Sequence, residues 1–425
     1  MTTTEPRIVV TGLGAVSAWG WGRELLWRGL VSGETAIAGL SRFDAPGLRT
    51  RIAGQVPGQA PAEPGAGPSA EDDEISLAER FAVAAAAEAL AQALGIGPPA
   101  GPITALPREA TGVFFGGSTA GMFESEEVFR ETSKRGPWGR DLDLLAAQPI
   151  DNAAAAVARR YGLAGPVHTV SSACASGTQA LGAALDALRS GEVDVALAGG
   201  ADSLCRLTYA GFNSLRVVDE APCRPFREGR AGMSLGEGAG LLVLETAERA
   251  ARRGAPVLAE LRGAGNSCDA HHMTAPHPAG LGAALAMERA LEDAGARPEE
   301  ICFVNAHGTG TPLNDASEWL GMVRVFGEHA GEVPVTATKA SVGHLLGSSG
   351  AIEAVATVLC LAAGEIHPTP HGGDVDPETP VRLVVGAPQA LPAGGGPWVA
   401  LSTSFGFGGA NAAAIFAAER AGDDR

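Results

Sequence analysis

The sequence predicts an α/β fold made of two similar halves, in which helices cover mostly parallel sheets. Short apolar segments typical of buried strands alternate with helical patterns along the chain. In each half, a strand runs directly into a glycine-rich turn with polar residues, at 111–115 before GGSTAG and at 301–305 before HGTGT. We place the halves at residues 1–255 and 256–425, because 425 residues suffice for two packed cores.

Apolar periodicity and glycine positions define the elements of the first half. Strands are predicted at residues 7–11, 111–115, 193–198 and 240–245, and another ends near Val170. The first strand is expected to enter a turn at Gly12 and Gly14. Helices are predicted at 76–94, just before Gly95, and from about 175 to 189. The segment 60–73 is rich in Pro, Ala, Gly and acidic residues, and we expect it to be a mobile surface segment.

The second half repeats this alternation of strands and helices. Strands are predicted at 257–262, 301–305, 398–403 and 412–417, and helices at 281–295 and 352–363. The last two strands flank the turn SFGFGG. The similarity between the halves is architectural and is not an obvious sequence repeat.

Composition excludes several classes of partner. The chain has 31 basic and 48 acidic residues, and its net charge of −17 repels nucleic acid and anionic lipid. The six cysteines form no CxxC pair, and neither a signal peptide nor an apolar run of about twenty residues is visible. We therefore expect a cytoplasmic protein that binds neither nucleic acid nor membranes.

Cys174 lies in the segment HTVSSACASGTQ, between a predicted strand and a predicted helix of small residues. The unpaired N–H groups and the dipole at a helix N-terminus favour a thiolate, so we expect a lowered pKa and a nucleophilic sulfur. The same N–H groups can hold an oxyanion. The alternative is that Cys174 is simply a small core residue, which is the usual role of a lone buried cysteine.

His307 and His344 each lie in a glycine-rich turn, in NAHGTGT and in TKASVGHLLGSSG, and Lys339 shares the second turn. Two neutral imidazoles can donate N–H groups to a developing enolate oxygen, and a nearby lysine cation keeps them neutral. Glu353, on the following helix, could pair with Lys339. The alternatives are a structural role for each histidine and a solvated helix face for Glu353.

At this point the motifs resemble a known family. SSACASG, NAHGTGTPLND, TKASVGHLLGSSGAIE and SFGFGGAN are similar to motifs of the elongating β-ketoacyl-acyl-carrier-protein synthases of fatty acid and polyketide synthesis. So are VVTGLGAVS, GRAGMSLGEGAGLLVLE and SCDAHHMTAP, and together these motifs span nearly the whole chain. The resemblance implies a five-layered αβαβα thiolase-type fold and a decarboxylative Claisen condensation.

The resemblance also implies roles for individual residues. Cys174 becomes the acylated nucleophile, His307 and His344 the pair that stabilises the enolate, and Lys339 and Glu353 members of their network. Phe407 becomes the gate to the second substrate, and its N–H joins that of Cys174 in an oxyanion hole. The expected contacts to pantetheine and to the acyl chain are Thr274, Thr309, Thr311, Ala120 and Phe212. Ala120 aligns with a bulkier pocket residue of the family, which suggests a longer or stiffer acyl chain. Asn411 is expected to be structural.

Cofactors and partners follow from the same resemblance. The expected partner is an acyl carrier protein that brings its own phosphopantetheine, so no further cofactor or metal is expected. Docking residues are sought among Arg80, Arg130, Lys134, Arg135 and Arg216, because residues 71–74 are acidic. The family forms homodimers, or heterodimers with a chain-length-factor-like subunit.

Two other functions and two pathways have to be weighed against the residues. A non-catalytic chain-length subunit would lack the cysteine, so Cys174 argues against that role. A thiolase acting on coenzyme A thioesters would carry a second cysteine near its C-terminus, whereas the last one here is Cys360, on a predicted helix. Primary fatty acid synthesis and a specialised polyketide or polyene pathway both fit, and Ala120 together with the acidic segment favours the specialised pathway.

Overall fold

The computed structural model describes residues 5–58, 76–135 and 142–420. The segment 60–73, expected to be mobile, lies outside the described residues, as does the acidic stretch 71–74. The longer strands are β1 (Ile8–Ser17), β5 (Thr111–Gly116), β6 (Val167–Val170), β7 (Val195–Asp202), β8 (Gly238–Thr246), β9 (Ala259–Cys268), β10 (Ile301–Asn305), β11 (Pro334–Thr336), β15 (Trp398–Phe405) and β16 (Ala410–Ala418). Two-residue strands are β2 (Gly20–Trp21), β3 (Ala38–Gly39), β4 (Ile52–Ala53), β12 (Glu365–Ile366), β13 (Arg382–Leu383) and β14 (Gln389–Ala390).

The helices connect these strands and cover their faces. They are α1 (Arg23–Val31), α2 (Leu77–Leu94), α3 (Met122–Arg135), α4 (Asn152–Tyr161), α5 (Ser176–Ser190), α6 (Arg206–Ser214), α7 (Ala247–Arg253), α8 (Leu281–Ala294), α9 (Pro312–Phe326), α10 (Lys339–Val342) and α11 (Ser349–Ala363).

The strand order of the first half recurs in the second. It is β6-β5-β7-β8-β1 in the first half and β11-β10-β15-β16-β9 in the second, and β1 pairs with β9 where the halves meet. The boundary that we drew after residue 255 falls between α7 and β9 and stays a prediction.

The expectation of mostly parallel sheets is wrong. In the first half β5 is parallel to β6 and β7, but β8 is antiparallel to both β7 and β1. In the second half β16 is likewise antiparallel to β15 and β9. The turn between Phe405 and Ala410 is too short to cross the sheet, so β16 must run back along β15.

The elements stack in five layers, as expected. The strands of the two halves form one continuous sheet; helices α2 and α4 cover the outer face of the first half's strands, and α8 and α9 that of the second half's strands. Helices α5 and α11 lie between the strands of the first half and those of the second, in a core that includes Leu181, Val355 and Phe416. The stretch Leu346–Ala363 is long and apolar enough to cross a membrane, but most of it is buried here, as in the core helix of a soluble protein.

Most predicted elements are confirmed within a few residues. Ser76 begins α2 with a capping box to Glu79, and Gly95 ends it in the left-handed conformation. The turn expected at Gly12 and Gly14 is wrong, because β1 continues through both glycines to Ser17. A Cβ atom on Gly14 would lie 1.8 Å from the Ala85 carbonyl oxygen, so these glycines let α2 pack directly on the strand.

Candidate active site

Cys174 lies in a tight elbow between β6 and α5. Ala173 has a φ of +54°, which is strained for a residue with a side chain. The Ser176 hydroxyl holds the elbow: it accepts the Ser172 N–H at 2.8 Å and donates to the Ala173 carbonyl at 2.5 Å. The result is a cysteine just before the helix, as predicted, with only 6% of its surface exposed.

His344 contacts the cysteine directly. Its Nε2 lies 3.0 Å from the Cys174 Sγ, and its Nδ1 lies 2.6 Å from the Ser349 Oγ. A hydroxyl can either donate to or accept from an imidazole nitrogen, so Ser349 is compatible with a proton on either nitrogen of His344. The sequence analysis missed Ser349. Its only signal was its place at the start of a helix that follows the histidine turn.

Lys339 ties His307 to Glu353. The Lys339 Nζ lies 3.0 Å from the His307 Nδ1, donates to the His307 carbonyl oxygen at 2.7 Å and forms a close ion pair with Glu353. Because Nδ1 faces an ammonium group, it accepts, and the proton of the neutral ring lies on Nε2. The His307 and His344 rings meet edge to face, with centroids 5.5 Å apart. The predicted residues of the second half therefore come together beside Cys174.

Glu318 supports His307 from the other side, and the sequence analysis missed it. Its carboxylate accepts the N–H groups of His307 and Gly308 at 2.8 and 2.9 Å, and the Thr403 hydroxyl at 2.8 Å. Burial raises its pKa to about 7. The only signal in the sequence was an acidic residue on the helix that follows HGTGT.

Burial keeps both histidines neutral. It lowers the pKa of His307 and that of His344 well below the ordinary value, and the Lys339 cation lowers them further. Burial also raises the pKa of Glu353 to about 7, against the opposing effect of Lys339. Neutral imidazoles can donate N–H groups to an enolate oxygen, which is the role expected of this pair.

The expectation of a lowered pKa at Cys174 is wrong for this closed site. Burial raises the pKa of Cys174 to about 11, although Lys339 and a hydrogen bond from the Phe407 backbone act in the opposite direction. Loss of water outweighs the favourable charges around the sulfur. Cys174 and His344 therefore form a neutral thiol–imidazole pair, and deprotonation has to accompany attack on the substrate.

Phe407 belongs to the turn between β15 and β16, which closes over the cysteine. Its backbone N–H acts to lower the pKa of Cys174, against the effect of burial, and its ring stacks on Phe212 with centroids 5.6 Å apart. A Cβ atom on Gly406 would lie 3.0 Å from the Cys174 nitrogen, so a side chain there would push the turn and the elbow apart by a few tenths of an ångström. The Asn411 side chain donates to Asp269 at 3.0 Å and fixes the far side of the turn, consistent with the expected structural role.

The threonines expected to contact pantetheine occupy two segments. The Thr309 and Thr311 hydroxyls lie 2.9 Å apart, buried beside His307. Thr274 is half-buried and follows Met273, whose carbonyl accepts the Gly408 N–H at 2.8 Å. The Thr274 segment therefore contacts the same turn that covers Cys174. The contacts of Thr274, Thr309 and Thr311 to pantetheine stay predictions.

The two residues expected to line the acyl pocket occupy different surroundings. Phe212 joins an apolar cluster with Phe43, Tyr209 and Leu346, next to the Phe407 ring. Ala120 is buried outside that cluster, with a φ of +43°, and its carbonyl accepts the Ser203 hydroxyl at 3.2 Å. The role of Ala120 in chain length stays a prediction. Among the described residues, no group of three or more His, Cys, Asp and Glu side chains could hold a metal ion.

Comparison with known proteins identifies the family. Residues 5–250 match the model of the beta-ketoacyl synthase N-terminal domain, and residues 258–372 match that of the C-terminal domain. The chain belongs to the β-ketoacyl synthase family. Its members are acyltransferases with the thiolase-type fold, and this chain shares both the class and the fold.

Relatives align over nearly the full length. The 3-oxoacyl-[acyl-carrier-protein] synthase 2 of Synechocystis sp. is 36% identical over 97% of this chain and 98% of its own. The solved ishigamide ketosynthase/chain length factor is 34% identical, with a TM-score of 0.89 over 98% of this chain and 100% of its own. A type II polyketide synthase ketosynthase, solved with its acyl-carrier protein and bound to the hexaketide, is 29% identical, with a TM-score of 0.85 over 98% of this chain and 100% of that one. This β-ketoacyl synthase is thus similar to enzymes of both fatty acid and polyketide synthesis.

Proposed function

We propose that this β-ketoacyl synthase condenses an acyl chain carried on Cys174 with malonyl-acyl-carrier protein and releases a 3-oxoacyl-acyl-carrier protein two carbons longer. The observation that carries the proposal is the 3.0 Å contact between the Cys174 Sγ and the His344 Nε2, in one buried site with His307 and Lys339. A subunit that only set the chain length of a partner would need no such pair.

The first half-reaction transfers the acyl group to the enzyme. The Cys174 sulfur attacks the carbonyl carbon of the acyl thioester while its proton passes to the His344 Nε2. The N–H groups of Cys174 and Phe407 stabilise the oxyanion. When the intermediate collapses, its bond to the carrier sulfur breaks, and the carrier thiolate leaves and takes up one proton from solvent. His344 keeps the proton on Nε2 and releases the one on Nδ1 to solvent through the Ser349 hydroxyl. The Ser349 hydroxyl can bond His344 whether or not the His344 Nδ1 carries a proton: it accepts from a protonated Nδ1 and donates to an unprotonated one.

The second half-reaction forms the carbon–carbon bond. The malonyl group loses carbon dioxide, and the electron pair of the broken bond moves into an enolate. His307 and His344 each donate an Nε2 proton in a hydrogen bond to the enolate oxygen. The enolate carbon attacks the thioester carbonyl on Cys174, the carbon–sulfur bond breaks, and the released thiolate takes up one proton from solvent.

The carrier protein supplies phosphopantetheine as part of the substrate. Among the basic residues considered for docking, Arg216 is exposed on the loop after α6, close in sequence to the expected pocket residue Phe212, and makes no side-chain hydrogen bond or ion pair among the described residues. Arg130 is exposed but pairs with Glu127, and Lys134 is exposed on α3. We assign the main attraction for an acidic carrier to Arg216. Arg80 is half-buried, and the Arg135 side chain lies outside the described part of the chain.

We further propose a specialised polyketide or polyene pathway and a dimer with a second ketosynthase-like subunit. The similarity to a solved type II polyketide synthase ketosynthase and to the ishigamide ketosynthase/chain length factor supports the pathway. Strand β6 supports the dimer: it lies at the end of the described sheet, and its Val167 is 40% exposed. A cytoplasmic location stays a prediction.

Partial reactions test the proposed function. We expect Cys174→Ala to abolish transfer of a radiolabelled acyl group from its carrier to the protein. We expect His307→Ala and His344→Ala to retain part of this transfer but to lose extension coupled to release of carbon dioxide. Full extension by the Cys174→Ala protein would exclude the proposed mechanism.

A further inference from the structure

His367 is a buried histidine that the proposed mechanism does not use. It follows β12, and its side chain is inaccessible to solvent. Its Nε2 lies 3.2 Å from the Thr338 hydroxyl, and its Nδ1 lies 3.1 Å from the Pro368 carbonyl oxygen and 3.1 Å from the Thr336 hydroxyl. A polar ring in the core is costly unless its partners are fixed, so this position is tightly defined.

The hydrogen bonds continue from Thr338 into the core. The Thr338 hydroxyl donates to the Asn305 Oδ1 at 3.1 Å, and the Asn305 Nδ2 donates to the Glu353 carbonyl oxygen at 3.0 Å and to the Thr357 hydroxyl at 3.1 Å. Asn305, Thr338, Glu353, Thr357 and His367 are all inaccessible to solvent. They form one continuous network behind the site.

This network meets the backbone of three active-site residues. Thr338 directly precedes Lys339, Asn305 lies two residues before His307, and Glu353 takes part through its own carbonyl. The network therefore helps to fix the backbone positions on which the contact between the Lys339 Nζ and the His307 Nδ1 depends. Neither Cys174 nor the Phe407 turn is attached to it by a recorded hydrogen bond among the described residues.

We propose that His367 is a positioning residue for decarboxylation, acting through Thr338 and Asn305 on the Lys339–His307 contact. The proposal rests on the proposed function, because it assigns His367 to one of its two half-reactions. Displacing a reacting group by about 1 Å can cost about a hundredfold in rate, so partial loosening of the network should cost about tenfold. Acylation of Cys174 should be spared.

The test separates the two half-reactions in His367→Leu, His367→Gln and Thr338→Val proteins. We measure the kcat and KM of carbon dioxide release from malonyl-acyl-carrier protein, the rate of Cys174 acylation and the melting temperature. His367→Leu should lower the kcat of decarboxylation about tenfold, with KM and acylation unchanged. His367→Gln should recover most of that loss, because an amide can replace one of the ring's hydrogen bonds.

A double variant and a matched control complete the design. If His367 acts through Thr338, the kcat of carbon dioxide release in the His367→Leu/Thr338→Val protein should be no lower than that of the less active single variant. Thr379→Val is the control for Thr338→Val, because Thr379 is equally buried but its hydroxyl has no hydrogen-bond partner in the described structure. We expect Thr379→Val to keep full activity.

Three results would overturn the proposal: unchanged decarboxylation in folded His367→Leu, equal loss of both half-reactions, or losses that multiply in the double variant. A separate result bears on the proposed function itself. If the wild-type protein releases no carbon dioxide from malonyl-acyl-carrier protein, that function fails before any His367 variant is compared.

Discussion

The Lys339 Nζ lies 3.0 Å from the His307 Nδ1, so a buried cation fixes which nitrogen of His307 carries the proton. The same cation pairs with Glu353, and both partners are almost fully buried. One ammonium group therefore orients the imidazole and neutralises the carboxylate that lies beside it. Removing it should alter the acid–base behaviour of the site as well as its rate.

Lys339→Met should shift the acid limb of the pH–rate profile to higher pH. Lys339 lowers the pKa of His307, so its loss moves that pKa back toward the ordinary value, and protonated His307 accumulates at a higher pH. We expect at least a tenfold loss of carbon dioxide release at neutral pH, on the scale of general acid–base effects. The measurement is the pH profile of decarboxylation.

The control for Lys339→Met is the double variant Lys339→Met/Glu353→Gln, which leaves no unpaired buried carboxylate. It should be more stable than the single variant and show the same shift of the acid limb. An acid limb that stays in place in both proteins would contradict the role assigned to Lys339.

Ser349→Ala should slow both half-reactions, because His344 loses the partner of its Nδ1. One hydrogen bond contributes about 1 kcal/mol, so we expect a loss of about five- to tenfold in acylation and in extension. Stopped-flow acylation and steady-state extension measure the two. Ser348→Ala is a neighbouring control, since Ser348 is buried too but bonds the Leu345 carbonyl and not His344. Equal effects of the two substitutions would count against a specific role for Ser349.

Glu318→Gln should change how stability depends on pH. Burial raises the folded-state pKa of Glu318 to about 7, above its ordinary value of 4.5. The folded state therefore binds the extra proton, and this contribution is complete below pH 4.5 and is lost as the pH rises through 7. For a pKa raised from 4.5 to about 7, the contribution of this proton to the free energy of unfolding is roughly 3 kcal/mol. Relative to Glu318→Gln, the wild type should lose about that much unfolding free energy between pH 4.5 and pH 8.

Urea denaturation of both proteins at several pH values measures the effect of Glu318. The variant should also lose decarboxylation, because an amide oxygen cannot accept the N–H groups of both His307 and Gly308 as a carboxylate does. A difference in unfolding free energy that stays constant with pH would show that Glu318 is ionised throughout.

Val167→Lys should weaken the proposed dimer. Val167 is 40% exposed on β6, and a charge on an edge strand disfavours pairing with another sheet. Light scattering coupled to size-exclusion chromatography should show a shift from dimer toward monomer at micromolar concentration. Val257→Lys is the matched control, because Val257 is also exposed but precedes β9, away from this edge. If Val167→Lys leaves the mass unchanged, β6 does not form the interface.

The sequence predicted the centre of the site but not its support. Cys174, His307, Lys339 and His344 lie in glycine-rich turns whose local pattern is visible along the chain, and the structure brings all four together. Ser349 and Glu318 were missed because an ordinary residue near a helix start becomes important only through its position in space. The pKa of Cys174 was predicted in the wrong direction, since a helix N-terminus can be read locally whereas burial depends on the closed Phe407 turn.

The fold shows the same division between local and distant causes. The strand at Ile301–Asn305 was predicted at its observed bounds because it is apolar and ends at a polar turn. The direction of β8 and β16 was missed, because sheet direction depends on how the connections cross the sheet. Gly12 was read as a turn residue for a similar reason: the helix that makes a side chain intolerable there begins more than sixty residues later.

Covering Cys174 also shields it from damage. Peroxides attack thiolates, and a sulfur with a pKa of about 11 that is closed off by Gly406 and Phe407 is almost wholly protonated between turnovers. The resting enzyme should therefore survive an oxidising burst that would inactivate a permanently ionised cysteine. Sensitivity would arise only while the turn is held aside and Cys174 carries no acyl chain, which is a brief part of each cycle.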